Sequence, residues 1–151
     1  MAEQGFQRGA AVPPAAMRLG YAGLIPFVGL ALASVAAPNP WRIEAEVALI
    51  VYGAAILSFM GGCRWGFAAA EMGDGPTTGN LAVSVLPALN GWLAALLGGW
   101  LGLMLLALAF LCLLAADLAL TNRGGAPAWW PNLRWPLTLG AVVSLLTSAL
   151  V

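Results

Sequence analysis

The run "LAVSVLPALNGWLAALLGGWLGLMLLALAFLCLLAADLAL", from Leu81 to Leu120, meets its first charge only at Asp117. A membrane-spanning helix needs about 20 apolar residues. This run is about twice that long, so it must fold back on itself within the bilayer or at its edge. Gly98-Gly99 is the expected turn, because glycine tolerates the positive φ of a tight reversal. Asn90-Gly91 is a rival turn, but it leaves the preceding segment too short to span.

Working outward from that pair, three more segments qualify. Leu19 to Ala37 is interrupted by Pro26 and ends at the "PNP" of Pro38 to Pro40. Ala45 to Ala70 is bounded by Glu44 and Glu71. Trp135 to Val151 closes the chain. The expected fold is therefore all-α: a polytopic bundle of five transmembrane helices at about 19–37, 45–70, 81–97, 100–120 and 135–151. Residues 1–17, rich in Ala, Gly and Pro, read as a mobile N-terminal segment ahead of one domain, 18–151. "SVA" at Ser34 to Ala36 resembles a signal cleavage site. The apolar run before it is longer than a usual signal core, so the first helix is expected to stay in the chain.

Composition agrees. The 151 residues are 62% hydrophobic and 8% charged, whereas soluble domains carry about a quarter charged residues. Six basic and six acidic residues cancel, and no basic stripe suggests nucleic acid as a partner. There is no histidine, and every basic residue is an arginine. Imidazole chemistry, lysine Schiff bases and phosphate-loop lysines are thereby excluded. Cys63 and Cys112 lie in apolar runs, where they read as buried, reduced thiols; two thiols alone make no zinc site. No cofactor or metal is expected.

Arg8, Arg18, Arg123 and Arg134 fall on one side of the five-helix topology and Arg42 alone on the other. The excess of arginine predicts a cytoplasmic N-terminus. Trp129, Trp130 and Trp135, in and after the Thr121–Arg134 connection, suit an interfacial loop.

Two charges lie within spans. Arg64 precedes Glu71 by seven residues, roughly 10 Å along a helix axis, and Asp117 precedes Asn122 by five, roughly 7 Å. Both helices descend to the same face, so the opposite charges share a depth. A charge at the bilayer centre costs about 2.5–3.5 kcal/mol on insertion scales. A bidentate pair between Arg64 and Asp117 is one resolution, separate snorkelling is another, and a ligand or ion site is a third; Arg134 and Arg123 are rival partners for Asp117. Asn90, less than a turn after Pro87, is a further candidate polar group near mid-membrane.

Small residues surround Arg64. Gly62 and Gly66 form a G-x-x-x-G with Gly61 beside it, which predicts close helix packing and a central second helix. Leu103, Leu105, Leu106 and Leu108 predict a lipid-facing fourth helix.

Four elements, "LGYAGLIPF" (19–27), "YGAAILSFMGGCRWG" (52–66), "SVLPALNGW" (84–92) and "LRWPLT" (133–138), carry a family resemblance. The chain resembles an uncharacterised bacterial membrane-protein family related to mitochondrial transmembrane protein 69. In the most specific element, Gly61, Gly62, Arg64, Trp65 and Gly66 occupy the motif positions. Where the family pattern leads one to expect tyrosine after the P-x-W element, this chain has Trp130. The resemblance implies a small five-helix protein of bacterial inner or mitochondrial membranes, with no molecular function to carry over. Three classes follow. The first is a non-catalytic bundle that binds or helps assemble other membrane proteins, or self-associates. The second is a small oligomeric transporter, channel or lipid-binding protein built on Arg64, Asp117 and Asn90. An intramembrane enzyme ranks last, because no histidine or lysine is present to activate a nucleophile.

Overall fold

A computed structural model describes residues 10–151. The described residues form six helices: α1 (Pro14–Ala22), α2 (Leu24–Ala36), α3 (Trp41–Ala69), α4 (Thr78–Leu97), α5 (Gly99–Asn122) and α6 (Trp130–Ala149). Arg8 and most of the segment expected to be mobile lie outside the described residues. Helix begins at Pro14, earlier than Leu19. A proline in the first turn lacks only an N–H that would have no intrahelical partner.

α1 and α2 together make one membrane-crossing unit, Pro14–Ala36. Pro26 breaks it. Its ring clashes with the carbonyl four residues back, that of Ala22, and it has no N–H to offer that group. The chain turns at Gly23, whose own carbonyl accepts a hydrogen bond from Tyr52 Oη on α3 at 2.9 Å. The backbone of α1 then lies close to α2 and α6 and not to α3.

α3 extends beyond the expected span to Trp41. Its 29 residues measure roughly 43 Å, more than the hydrocarbon core requires. Arg42, Glu44 and Glu46 therefore stand on helix that projects into the headgroup region, with Glu44 in the first turn, where the helix dipole favours an acid. α4 starts at Thr78, capped by Thr77 Oγ1 accepting from the Asn80 N–H at 3.2 Å. The reversal falls at Gly98 and Gly99, with φ of +59° and +51°, and Asn90-Gly91 lies inside α4.

α6 starts at Trp130, with Pro131 in its first turn, five residues before the expected start. Trp130 and Arg134 are thus helical. Four units, Pro14–Ala36, α3, α4 and α5, are long and apolar enough to cross a membrane. α6 is a fifth helix of the bundle, made more polar by Asn132, Arg134 and two prolines near its start.

α3 is central and packs against α2, α4, α5 and α6. Lipid tails are as apolar as leucine, so close packing rather than water exclusion holds such helices together. Glycine permits it at two places between α3 and α4. A Cβ on Gly61 would sit 2.5 Å from the Ser84 carbonyl oxygen of α4 and 3.3 Å from Pro87, and one on Gly91 would sit 3.0 Å from Ala54 Cα. Gly62 and Gly66, expected at this interface, have no heavy atom within 4 Å of such a Cβ. With Arg64 buried, Gly61 three residues away shares its face, while Gly62 and Gly66, two residues to either side, turn outward.

α5 also departs from expectation. Leu103 and Leu106 are fully buried beside Phe110, and of the four leucines only Leu108 is strongly exposed. Cys112 faces outward on the same helix, and both cysteines are free.

Candidate functional site

Arg64 lies in the last two turns of α3, Asp117 in the last two turns of α5 and Arg134 in the second turn of α6. The antiparallel order brings all three to one end of the bundle. Asp117 is fully buried. Its Oδ1 accepts from Arg64 Nη1 at 2.8 Å, and its Oδ2 accepts from Arg134 Nε at 2.8 Å. Trp130 Nε1 donates to the same Oδ2 at 3.1 Å.

The contact with Arg64 is one nitrogen to one oxygen, so the expected two-point fork is absent. One carboxylate instead serves two guanidiniums. Arg134 was a rival to Arg64 in the sequence and is its co-partner in the fold. Arg123 lies exposed just past α5. Asn90 stays apart from the cluster, and its amide donates to the Leu86 carbonyl of its own helix at 3.0 Å.

Two residues not expected here complete the cluster. Trp130, read as a headgroup-zone ring, is only 6% exposed. Its ring is held edge-on against Phe67, with centroids 5.0 Å apart, and the Arg134 guanidinium carbon lies 6.0 Å from its centroid. Met60 Sδ accepts from Arg134 Nη1 at 3.1 Å, a weak acceptor for a cation. Arg134 Nη2 and Arg64 Nε have no partner. Two cations against one anion leave the buried cluster with an excess positive charge.

A cavity of about 480 Å³ adjoins it, bounded by Arg134, Met60, Trp130, Tyr52, Phe27 and Leu24 among others. It lies where the backbone of α1 approaches α6 and not α3. Its rim carries Leu19 and Phe59, which are 76% and 62% exposed. The cleft therefore opens sideways, toward acyl chains. Its volume is within the range of about 300–1,000 Å³ common to small-molecule sites. No cluster of three or more metal-ligating side chains occurs among the described residues.

A family model for proteins of unknown function, DUF3429, matches residues 12–150. The chain belongs to this family. Its relatives include transmembrane protein 69 of Xenopus tropicalis, 41% identical over 139 residues that cover 90% of this chain and 54% of that protein. Transmembrane protein 69 of Mus musculus is 32% identical over 144 residues, covering 92% of this chain and 57% of that protein. The chain thus spans about half the length of the curated relatives it matches. No solved structure matches. Family, helical content and apolar spans together make this a multi-pass membrane protein.

Proposed function

We propose that this protein is a non-catalytic membrane bundle that holds a small lipid-soluble molecule from the bilayer in the cleft between α1, α3 and α6. One observation carries the reading. The α1–α2 break opens an apolar cavity to the lipid side, and a buried, only partly satisfied arginine stands at its wall. Binding without chemistry fits a chain that has no histidine or lysine to act as a base. The arginine asymmetry supports a cytoplasmic N-terminus, with the charge cluster then at the cytoplasmic end of the bundle.

The test is purification in mild detergent followed by mass spectrometry of extracted small molecules. The natural chain should carry a stoichiometric lipid-soluble ligand. Ile56→Trp, which fills the cleft from α3, should be depleted of it. Equal occupancy in both proteins, or none in the natural chain, would count against the cleft.

A second reading, that the bundle binds or helps assemble other membrane proteins or itself, is favoured by a separate observation. Gly62 and Gly66 face outward with open space above them, a spacing at which another helix can approach closely. Gly62→Leu should remove a co-purifying protein or self-associated species if this face is an interface, and should leave the ligand in the cleft unchanged.

A further inference from the structure

Resting on the cleft reading above, we infer that the occupant is a single-chain amphiphile with a carboxylate head, seated on the outer edge of Arg134. Charge sets the head. Asp117 accepts from both arginines and from Trp130, so its two oxygens are engaged. The cluster still carries one positive charge in excess, at groups 8% and 2% exposed. An uncompensated buried charge is costly, and a monoanion at Arg134 removes that cost. A phosphate monoester, with about −1.5 to −2 charges near neutrality, would overshoot the excess.

Geometry sets the seat. Arg134 gives Nε to Asp117, which leaves the Nη1–Nη2 edge facing away from the carboxylate. On that edge Nη2 has no partner and Nη1 has only the Met60 thioether. Two parallel N–H groups on a planar guanidinium match the two oxygens of a carboxylate. Met60 lines the cavity. Its unbranched, flexible side chain is the one that must give way for an anion to take the place of the sulfur.

Direction sets the tail. Arg134 lies in the second turn of α6, near the membrane surface, where an amphiphile carries its head. From Cys63 to Tyr52 the α3 wall runs eleven residues inward, roughly 16 Å. The deeper walls are Phe27, Phe110 and Ala141. A cleft of that reach and about 480 Å³ is narrow, with room for one extended chain.

The experiment measures binding of hexadecanoic acid and of hexadecanol to the purified full chain in detergent at pH 8, where the acid is ionised. The acid should bind about 10- to 100-fold more tightly, the net worth of about one hydrogen bond to a charged group once the carboxylate's desolvation is offset. In Arg134→Gln that ratio should collapse toward one, with Arg134→Lys intermediate because it keeps the charge without the fork. If Arg134→Gln fails to fold, Met60→Leu serves instead. It removes the competing sulfur, so the ratio should rise, and a fall overturns the seat on Arg134. Equal binding of acid and alcohol by the natural chain overturns the head assignment and leaves the cleft standing. Failure of both probes to bind, or binding that Ile56→Trp does not weaken, overturns the cleft itself. A diacyl phospholipid extracted stoichiometrically and not displaced by the acid overturns the single-chain occupant.

Discussion

Asp117→Ala is the most informative perturbation of the charge cluster. It removes the acceptor for Arg64 Nη1, Arg134 Nε and Trp130 Nε1 in one step. All three are hydrogen bonds to a charged group, worth about 1.5–3 kcal/mol each, so the raw loss is about 4.5–9 kcal/mol. Arg64, 8% exposed near the helix end, recovers part of this by extending toward the interface. A net cost of about 3–5 kcal/mol is expected, the usual range when one partner of a buried pair is removed. Arg64→Ala leaves the Arg134–Asp117 pair intact and neutral, so its cost should be smaller, about 1–3 kcal/mol. The measure is the midpoint of unfolding by titrated denaturing detergent, followed by helical circular dichroism. The exchange of charges, Arg64→Asp with Asp117→Arg, should fail to restore stability, because Arg134 would then face a second arginine at position 117. Recovery in that double variant, or an Asp117→Ala cost no larger than that of Arg64→Ala, would falsify the shared-carboxylate arrangement.

Gly61→Leu should destabilise the bundle severely in the same assay, because its first side-chain atom already meets the Ser84 carbonyl at 2.5 Å. Gly62→Ala should be neutral or stabilise by up to about 1 kcal/mol, since alanine is the better helix former and its Cβ meets nothing; equal sensitivity at the two sites would contradict the outward placement of Gly62. Tyr52→Phe removes the bond to the Gly23 carbonyl and should cost about 0.5–1.5 kcal/mol. Backbone exchange near Gly23 should quicken in that variant, and unchanged protection there would mean the contact does not hold the α1–α2 break. Reporter domains fused at the two termini should land on opposite faces of the membrane, with the N-terminal one cytoplasmic; two reporters on one face would rule the topology out.

Much of the architecture is legible in the residues. Apolar length marks the spans, and the double glycine marks the reversal, because few other residues accept positive φ at two successive positions. Arg64 and Asp117 stand out because charge in hydrocarbon is expensive and so carries information wherever it occurs. The start of α6 was also readable. Pro131 is a first-turn signal that puts the helix start at Trp130, and Trp130 and Arg134 then fall one turn apart on the same face. A tryptophan before a helix suits a headgroup anchor equally well, so the residue type alone does not mark that pairing. The Gly61 face was likewise available from its three-residue spacing to Arg64, once Arg64 is turned inward.

What the chain determines by itself is immersion, the approximate placement of its five apolar helical units and the cost of its few charges. Which side of each helix faces its neighbours was decided only in three dimensions. In lipid a leucine is equally at home inside or outside the bundle, so Leu103 and Leu108 look alike in sequence although one is buried and the other exposed. The sharing of one carboxylate by two arginines also depends on three helix ends meeting. So does the cleft, which lies where the backbone of α1 approaches α6 and not α3.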